Sequence, residues 1–248
     1  MLFRSGFSAL IESGGKRILF DTGNRPDTVA INSKELLVDL STVDDVILSH
    51  SHGDHTGGLL TLRKQVMTKN PKALSRLWVA RGFAYPRLSD NSERTPGADV
   101  LAAYRATGGE VIEVENFRSI APGLWLTGPV PRKHPERNWS GSGRIRLPDG
   151  ATAEDNLPED MALIGNTARG LVVVTGCGHA GIINISEYAR TQVSSPRIEA
   201  VIGGIHLFPA SDETLDWTAT RLKEQGLQVL MGAHCTGVEA LYRIRSLA

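Results

Sequence analysis

Three of the chain's seven histidines and an aspartate fall within six positions, His50-Ser51-His52-Gly53-Asp54-His55. Val46-Ile47-Leu48 leads in as a buried strand, and Gly57-Gly58 follows. In extended chain, side chains at i and i+2 point the same way, so His50 and His52 can grip one ion. Gly53 allows a sharp turn, and Asp54 and His55 then lie around the bend, placed for a second ion. Neutral imidazole and carboxylate suit Zn²⁺, Mn²⁺ or Fe²⁺.

The stretches VVVTGCGH, VIGGIH and VLMGAH repeat that layout, an apolar run passing straight into His179, His206 or His234. Strand carboxyl ends are where α/β proteins build sites, because the rigid strand aims the loop. His50, His52, His55, His179, His206 and His234 are therefore expected at one sheet edge. The only cysteines, Cys177 and Cys235, each lie within two positions of a histidine, which favours site chemistry over a disulfide framework. Alternation turns Cys235 away from its neighbour's face, so it reads as packing. His134 reads as a surface histidine or part of a lid, and Glu159-Asp160 as a cap or turn.

The elements that must position these residues follow from periodicity. SALI (8–11) and RILF (17–20) predict a hairpin, with the turn signal Asp21-Thr22-Gly23 after it. Helices are predicted over 29–40, 59–66, 100–106, 183–193, 215–224 and 238–247. Strands are predicted over 46–48, 77–80, 110–114, 124–126, 161–164, 171–174, 200–202 and 228–231. Residues 128–160, rich in Pro, Gly and charge, read as a loop-rich insertion or lid within a single domain spanning 1–248. Hairpins first, then alternating strand and helix, imply a mixed α/β sheet covered by helices.

His-x-His-x-Asp-His after an apolar strand resembles the first metal motif of the metallo-β-lactamase superfamily, and ILFDTG (18–23) resembles its upstream strand segment. TGCGHAGIIN, GGIHL and HCTG resemble one branch, named for a dihydropterin-methyl-ribofuranosyl-aminobenzene phosphate synthase of methanopterin biosynthesis. The resemblance implies an αββα sandwich with two metals at one edge, held by His50, His52, Asp54, His55, His179 and His234. It also implies a strand ahead of FSALIE, so a missing first strand and a homodimer covering the exposed edge are expectations. Most relatives carry a bridging aspartate where this chain has Cys177. That thiol is a ligand, a support behind the ligands, or a small filler. His206 matches a proton-shuttling or substrate-contacting position, with a structural histidine as the alternative.

The expected activity is a metal-dependent hydrolase using two divalent ions, zinc first and manganese or iron as alternatives. Activated water would attack a phosphoester or a carboxyl ester or lactone, with Asp54 and His206 in catalytic roles. The alternatives are a transferase of the synthase type and a mononuclear iron redox enzyme. Arg81, Arg87, Arg132, Lys133 and Arg137 are candidate phosphate binders, and Phe83, Tyr85 and Trp139 candidate stacking partners for a pterin. A balance of 27 basic and 27 acidic residues gives no global pull towards nucleic acid or membrane, so the expected partner is a small-molecule substrate. No apolar run spans a bilayer and the first residues lack a signal-peptide core, so a cytoplasmic protein is expected.

Overall fold

Gly14 and Gly15 both take positive φ, the two-residue turn that matches strand twist, and join β1 (Ala9–Ser13) to β2 (Lys16–Phe20) as a hairpin. The structure is a computed structural model that describes residues 6–89, 92–138 and 143–247. The elements continue as α1 (Thr28–Glu35), β3 (Asp45–Ile47), α2 (Gly53–Thr56), α3 (Leu59–Val66), β4 (Arg76–Ala80), β5 (Arg87–Ser89), β6 (Ser92–Arg94), α4 (Pro96–Arg105) and β7 (Glu110–Val114). Next come β8 (Arg118–Ala121), β9 (Leu124–Leu126), β10 (Arg144–Arg146), β11 (Thr152–Glu154), β12 (Leu163–Thr167) and β13 (Gly170–Thr175). The chain closes with α5 (Ile182–Val193), β14 (Ile198–Gly203), α6 (Asp212–Glu224), β15 (Val229–Gly232) and α7 (Val238–Leu247).

The chain divides into two compact units, Met1–Glu115 with Ser140–Glu159, and Asn116–Trp139 with Asp160–Ala248. In the first, the sheet order is β1-β2-β3-β4-β7, parallel from β2 onward. Its core joins Leu19, Val46, Leu77 and Val79 of the sheet, and Leu48 just past β3, to Leu59 and Leu62 of α3 and Leu101 and Tyr104 of α4. A small antiparallel sheet, β11-β10-β5-β6, belongs to the same unit. In the second unit the order is β15-β14-β13-β12-β9-β8, with β13, β14 and β15 parallel. Ile164, Val173 and Val201 pack there with Ile182, Ile185 and Ala189 of α5, Leu215 and Leu222 of α6, and Ile244 of α7.

The long periodic segments fold as predicted, and three differences have physical causes. The first helix stops at Glu35, because Leu37 takes φ +55 and ends the run. The apolar period at Leu36, Leu37 and Leu40 outlasts the helix, and Leu37 is left exposed. Strands β5, β6, β8, β10 and β11 are too short and polar to carry a period-two signal. Residues 128–160 are not structureless: β10 and β11 lie within them, and the segment divides between the two units. Among the described residues, no helix is long and apolar enough to cross a membrane.

Candidate metal centre

In the first unit β2 ends at Phe20 beside Ile47, the end of its parallel neighbour β3, so the loops after both leave at one edge. Asp21 N donates to Ile47 O (2.8 Å), and Asp21, fully buried, takes φ +58. Its carboxylate accepts from Ser49 N, Ser49 Oγ and His55 Nδ1, each at 2.7 Å. The single Ser49 hydroxyl hydrogen therefore goes to Asp21, and His50 Nδ1, 2.9 Å from the same oxygen, is the donor in that contact. Both His50 and His55 are thus turned so that Nε2 carries the lone pair, the state in which imidazole binds metal. Gly57 and Gly58 let this loop pack on the Asp21-Thr22-Gly23 turn. A Cβ at either would meet Asn24 O at 2.0 Å or Thr22 O at 2.3 Å.

His50 Nε2 lies 3.1 Å from His52 Nδ1. Two nitrogens on one zinc at ~2.0–2.1 Å and tetrahedral angle stand roughly 3.3 Å apart, so this spacing fits shared ligation. Asp54 Oδ2 is 3.8 Å from His55 Nε2, with its carboxylate partly open to solvent. The donor set therefore fits a divalent ion. A cavity of about 590 Å³ borders it, lined by Ser51, His52, Gly53, Arg87, Arg94 and Asp155 among others.

In the second unit, Thr175, Gly203 and Gly232 are in register across β13, β14 and β15, so the loops carrying Cys177 and His179, His206, and His234 leave the same edge. Cys177, His179 and His206 each offer a ligand atom, all within 4.8 Å of one another, and so do Cys177, His234 and Cys235. His179 Nδ1 donates to Asn138 O (2.5 Å), which leaves Nε2 as the ligand atom. His206 and His234 sit in the left-handed region, φ +46 and +53, strain of the kind that collects at functional sites. His206 is buried, and its ring lies against the Cys235 thiol. The Cys235 thiol is held down to about 5, chiefly by its contact with Cys177 and then by the His206 and His234 imidazoles, against burial.

Several residues take roles that their sequence context did not indicate. Cys235 is not set by strand alternation: after Gly232 the chain leaves the strand for a 3₁₀ turn at His234–Thr236, and its sulfur faces Cys177. Glu159 is fully buried, and its Oε1 accepts from Ser51 Oγ (2.7 Å), bracing the residue between His50 and His52. Arg87 is committed to Glu159 (2.6 Å) and Asp155 (2.9 Å), and Arg132 donates to His179 O (2.7 Å), so both support the loops. Asp160 Oδ2 accepts from Ala180 N (2.9 Å), next to His179. Phe83 is buried in the core of its unit and cannot stack on a ligand, while Trp139 lies outside the described residues. His134 pairs with Glu187 (2.7 Å) and packs on Trp217, away from any ligand role. The support that Asp21 gives had a sequence signal in the Asp21-Thr22-Gly23 turn, whereas the contacts of Glu159, Arg87 and Asp160 had none.

Comparison with known proteins identifies the family and the fold. The family model of the metallo-beta-lactamase superfamily matches residues 1–101. The chain is 31% identical over 251 residues to the 7,8-dihydropterin-6-methyl-4-(beta-D-ribofuranosyl)-aminobenzene-5'-phosphate synthase of Methanocaldococcus jannaschii, covering 95% of this chain and 82% of that protein. It is also 31% identical over 243 residues to the uncharacterized protein MJ0448 of that organism, covering 98% of this chain and 88% of that one. Among solved structures, Tm1679, described as a metal-dependent hydrolase of the beta-lactamase superfamily, is 27% identical with a TM-score of 0.73, over 98% of this chain and 90% of that chain. The mixed α/β architecture matches the metallo-β-lactamase fold that the motifs implied. The chain belongs to the metallo-β-lactamase superfamily, whose proteins bind divalent metals, in the branch that resembles the M. jannaschii synthase.

Proposed function

We propose that the protein is a metal-dependent hydrolase acting on a small phosphoester or a carboxyl ester or lactone. The observation that carries this reading is that Ser49 and Asp21 fix the tautomers of His50 and His55 with the lone pair on Nε2, while His52 Nδ1 lies 3.1 Å from His50 Nε2. His50, His52, Asp54 and His55 in the first unit, and His179, His234 and Cys177 in the second, are the proposed ligands of two divalent ions, zinc first. When bound, such ions polarise a substrate oxygen and lower the pKa of water towards ~7. The protein's own part is to hold each imidazole in one tautomer. Asp21 fixes His55, Ser49 fixes His50, and the Asn138 carbonyl fixes His179. His206, buried with Cys177 and His179 close to it, is the proposed proton donor to a leaving group. The cavity beside His52 offers room for a small molecule. The description of Tm1679 supports the same reading.

A second reading is a transferase that joins a pterin to a ribosyl-aminobenzene phosphate, supported by the 31% identity to the M. jannaschii synthase. Tyr85 is the remaining described candidate for stacking on a pterin. An iron redox enzyme is a third, favoured by the sulfur atoms of Cys177 and Cys235 beside the histidines.

Metal content of untagged protein by plasma mass spectrometry, followed by a screen of phosphodiesters and lactones, tests these readings. About two zinc ions per chain and turnover lost in His52→Ala and Asp54→Ala support the hydrolase. Retained turnover in those variants would sink it. Turnover only with pterin and phosphoribosyl substrates favours the transferase, and one tightly held iron with visible colour favours redox chemistry.

A further inference from the structure

Cys177 and Cys235 leave β13 and β15, strands that β14 separates in the sheet. Two loops so placed meet only if the chain between them carries no side chain. At this level β14 passes through Gly203-Gly204. A Cβ at Gly204 would lie 2.8 Å from Cys235 Sγ, 2.4 Å from Gly176 O and 3.2 Å from Cys177 Cα. Through that gap Cys235 Sγ comes to 3.8 Å from Cys177 O. The two sulfurs and a His234 nitrogen are all within 4.8 Å of one another, and neither cysteine is in a disulfide. Cys177 is buried and Cys235 half-buried, so the pair is shielded from bulk solvent.

We propose that Cys177, Cys235 and His234 form a two-thiolate, one-imidazole site for a soft or borderline divalent cation. The proposal rests on the metal-binding reading above and adds Cys235 as a ligand. On binding, both sulfurs donate electron pairs as thiolates, and any thiol still protonated gives its proton to solvent, so up to two protons are released per ion, depending on pH. Two thiolates cancel the charge of the ion, which makes it a weaker electrophile than one held by imidazole and carboxylate alone. They also select Zn²⁺ or Fe²⁺ over Mn²⁺ or Mg²⁺, because sulfur is a poor ligand for hard cations.

The test is cobalt substitution of chelator-stripped, reduced protein. The wild type is expected to show visible Co²⁺ bands together with thiolate-to-Co²⁺ charge transfer in the near ultraviolet. Charge transfer should fall to about half in Cys177→Ser and in Cys235→Ser, and vanish in the double variant. Gly204→Ala should reproduce the loss seen in Cys235→Ser. X-ray absorption of the zinc-loaded wild type needs no variant to fold, and should show two sulfur neighbours at about 2.3 Å. Visible bands with no charge transfer, or a Cys235→Ser spectrum equal to wild type, overturns the two-thiolate site and leaves metal binding standing. No Co²⁺ bound at all overturns both.

Discussion

Asp21 gathers three hydrogen bonds on one buried carboxylate and so sets the ring orientation of two histidines. Asp21→Asn replaces one acceptor oxygen with a donor facing Ser49 or His55. The expected result is a 10–100-fold loss of metal affinity by chelator competition, with the fold retained. Unchanged affinity would remove Asp21 from the account. At this scale the sequence exposed the ligand types well, because His-x-His-x-Asp-His is local. It did not expose Glu159, which lies 108 positions from the Ser51 that it braces. It did not show which way Cys235 faces, because the left-handed turn at His234 cannot be read from alternation.

Helix α5 begins at Gly181, which has no side chain to cap the free N–H groups. Glu136 supplies the cap from outside the helix, accepting from Ile183 N (3.0 Å) and Asn184 N (2.8 Å). Burial pushes its carboxyl up to about 7, against those two hydrogen bonds and the nearby His134 and Arg132 charges. A carboxyl whose pKa is raised on folding adds stability below its ordinary value of 4.5, and that part is lost as pH rises through about 7. The contribution is about 3 kcal/mol. Glu136→Gln keeps an acceptor and removes the titration. The melting temperature of the wild type should therefore fall relative to Glu136→Gln between about pH 4.5 and 7. Parallel curves for the two proteins would show that Glu136 does not carry this dependence. Arg87 and Glu159 make a second test at this scale. Arg87→Ala leaves Glu159 buried without its cation and should cost about 3–5 kcal/mol in denaturant unfolding. A cost under about 1 kcal/mol would mean that Glu159 is held neutral in the fold. Helices α3 and α7 and strands β7 and β9 match their predicted spans, since each has a hydrophobic period of its own.

For the whole molecule, bound metal should act as a stabilising ligand. At a free concentration of 1,000 times Kd it adds about 4 kcal/mol. For a chain of this size that raises the melting temperature by roughly 10 °C, so chelation should lower it by that amount in a thermal scan. A melt indifferent to chelator would count against metal ligands in the folded protein. The longer strands and helices, the residue types of the candidate ligands and their place at strand ends were determined by the sequence itself, because periodicity and short motifs are local properties, whereas the short strands β5, β6, β8, β10 and β11 were not legible there. Tertiary structure alone decided which distant groups support those ligands. Asn138 reaches His179, Glu159 reaches Ser51, and Gly204 lets Cys235 meet Cys177. Each of those contacts joins positions 41 or more apart, and the last also depends on a missing side chain in the strand between. Strand register and loop packing bring them together, and no local pattern in the chain records either.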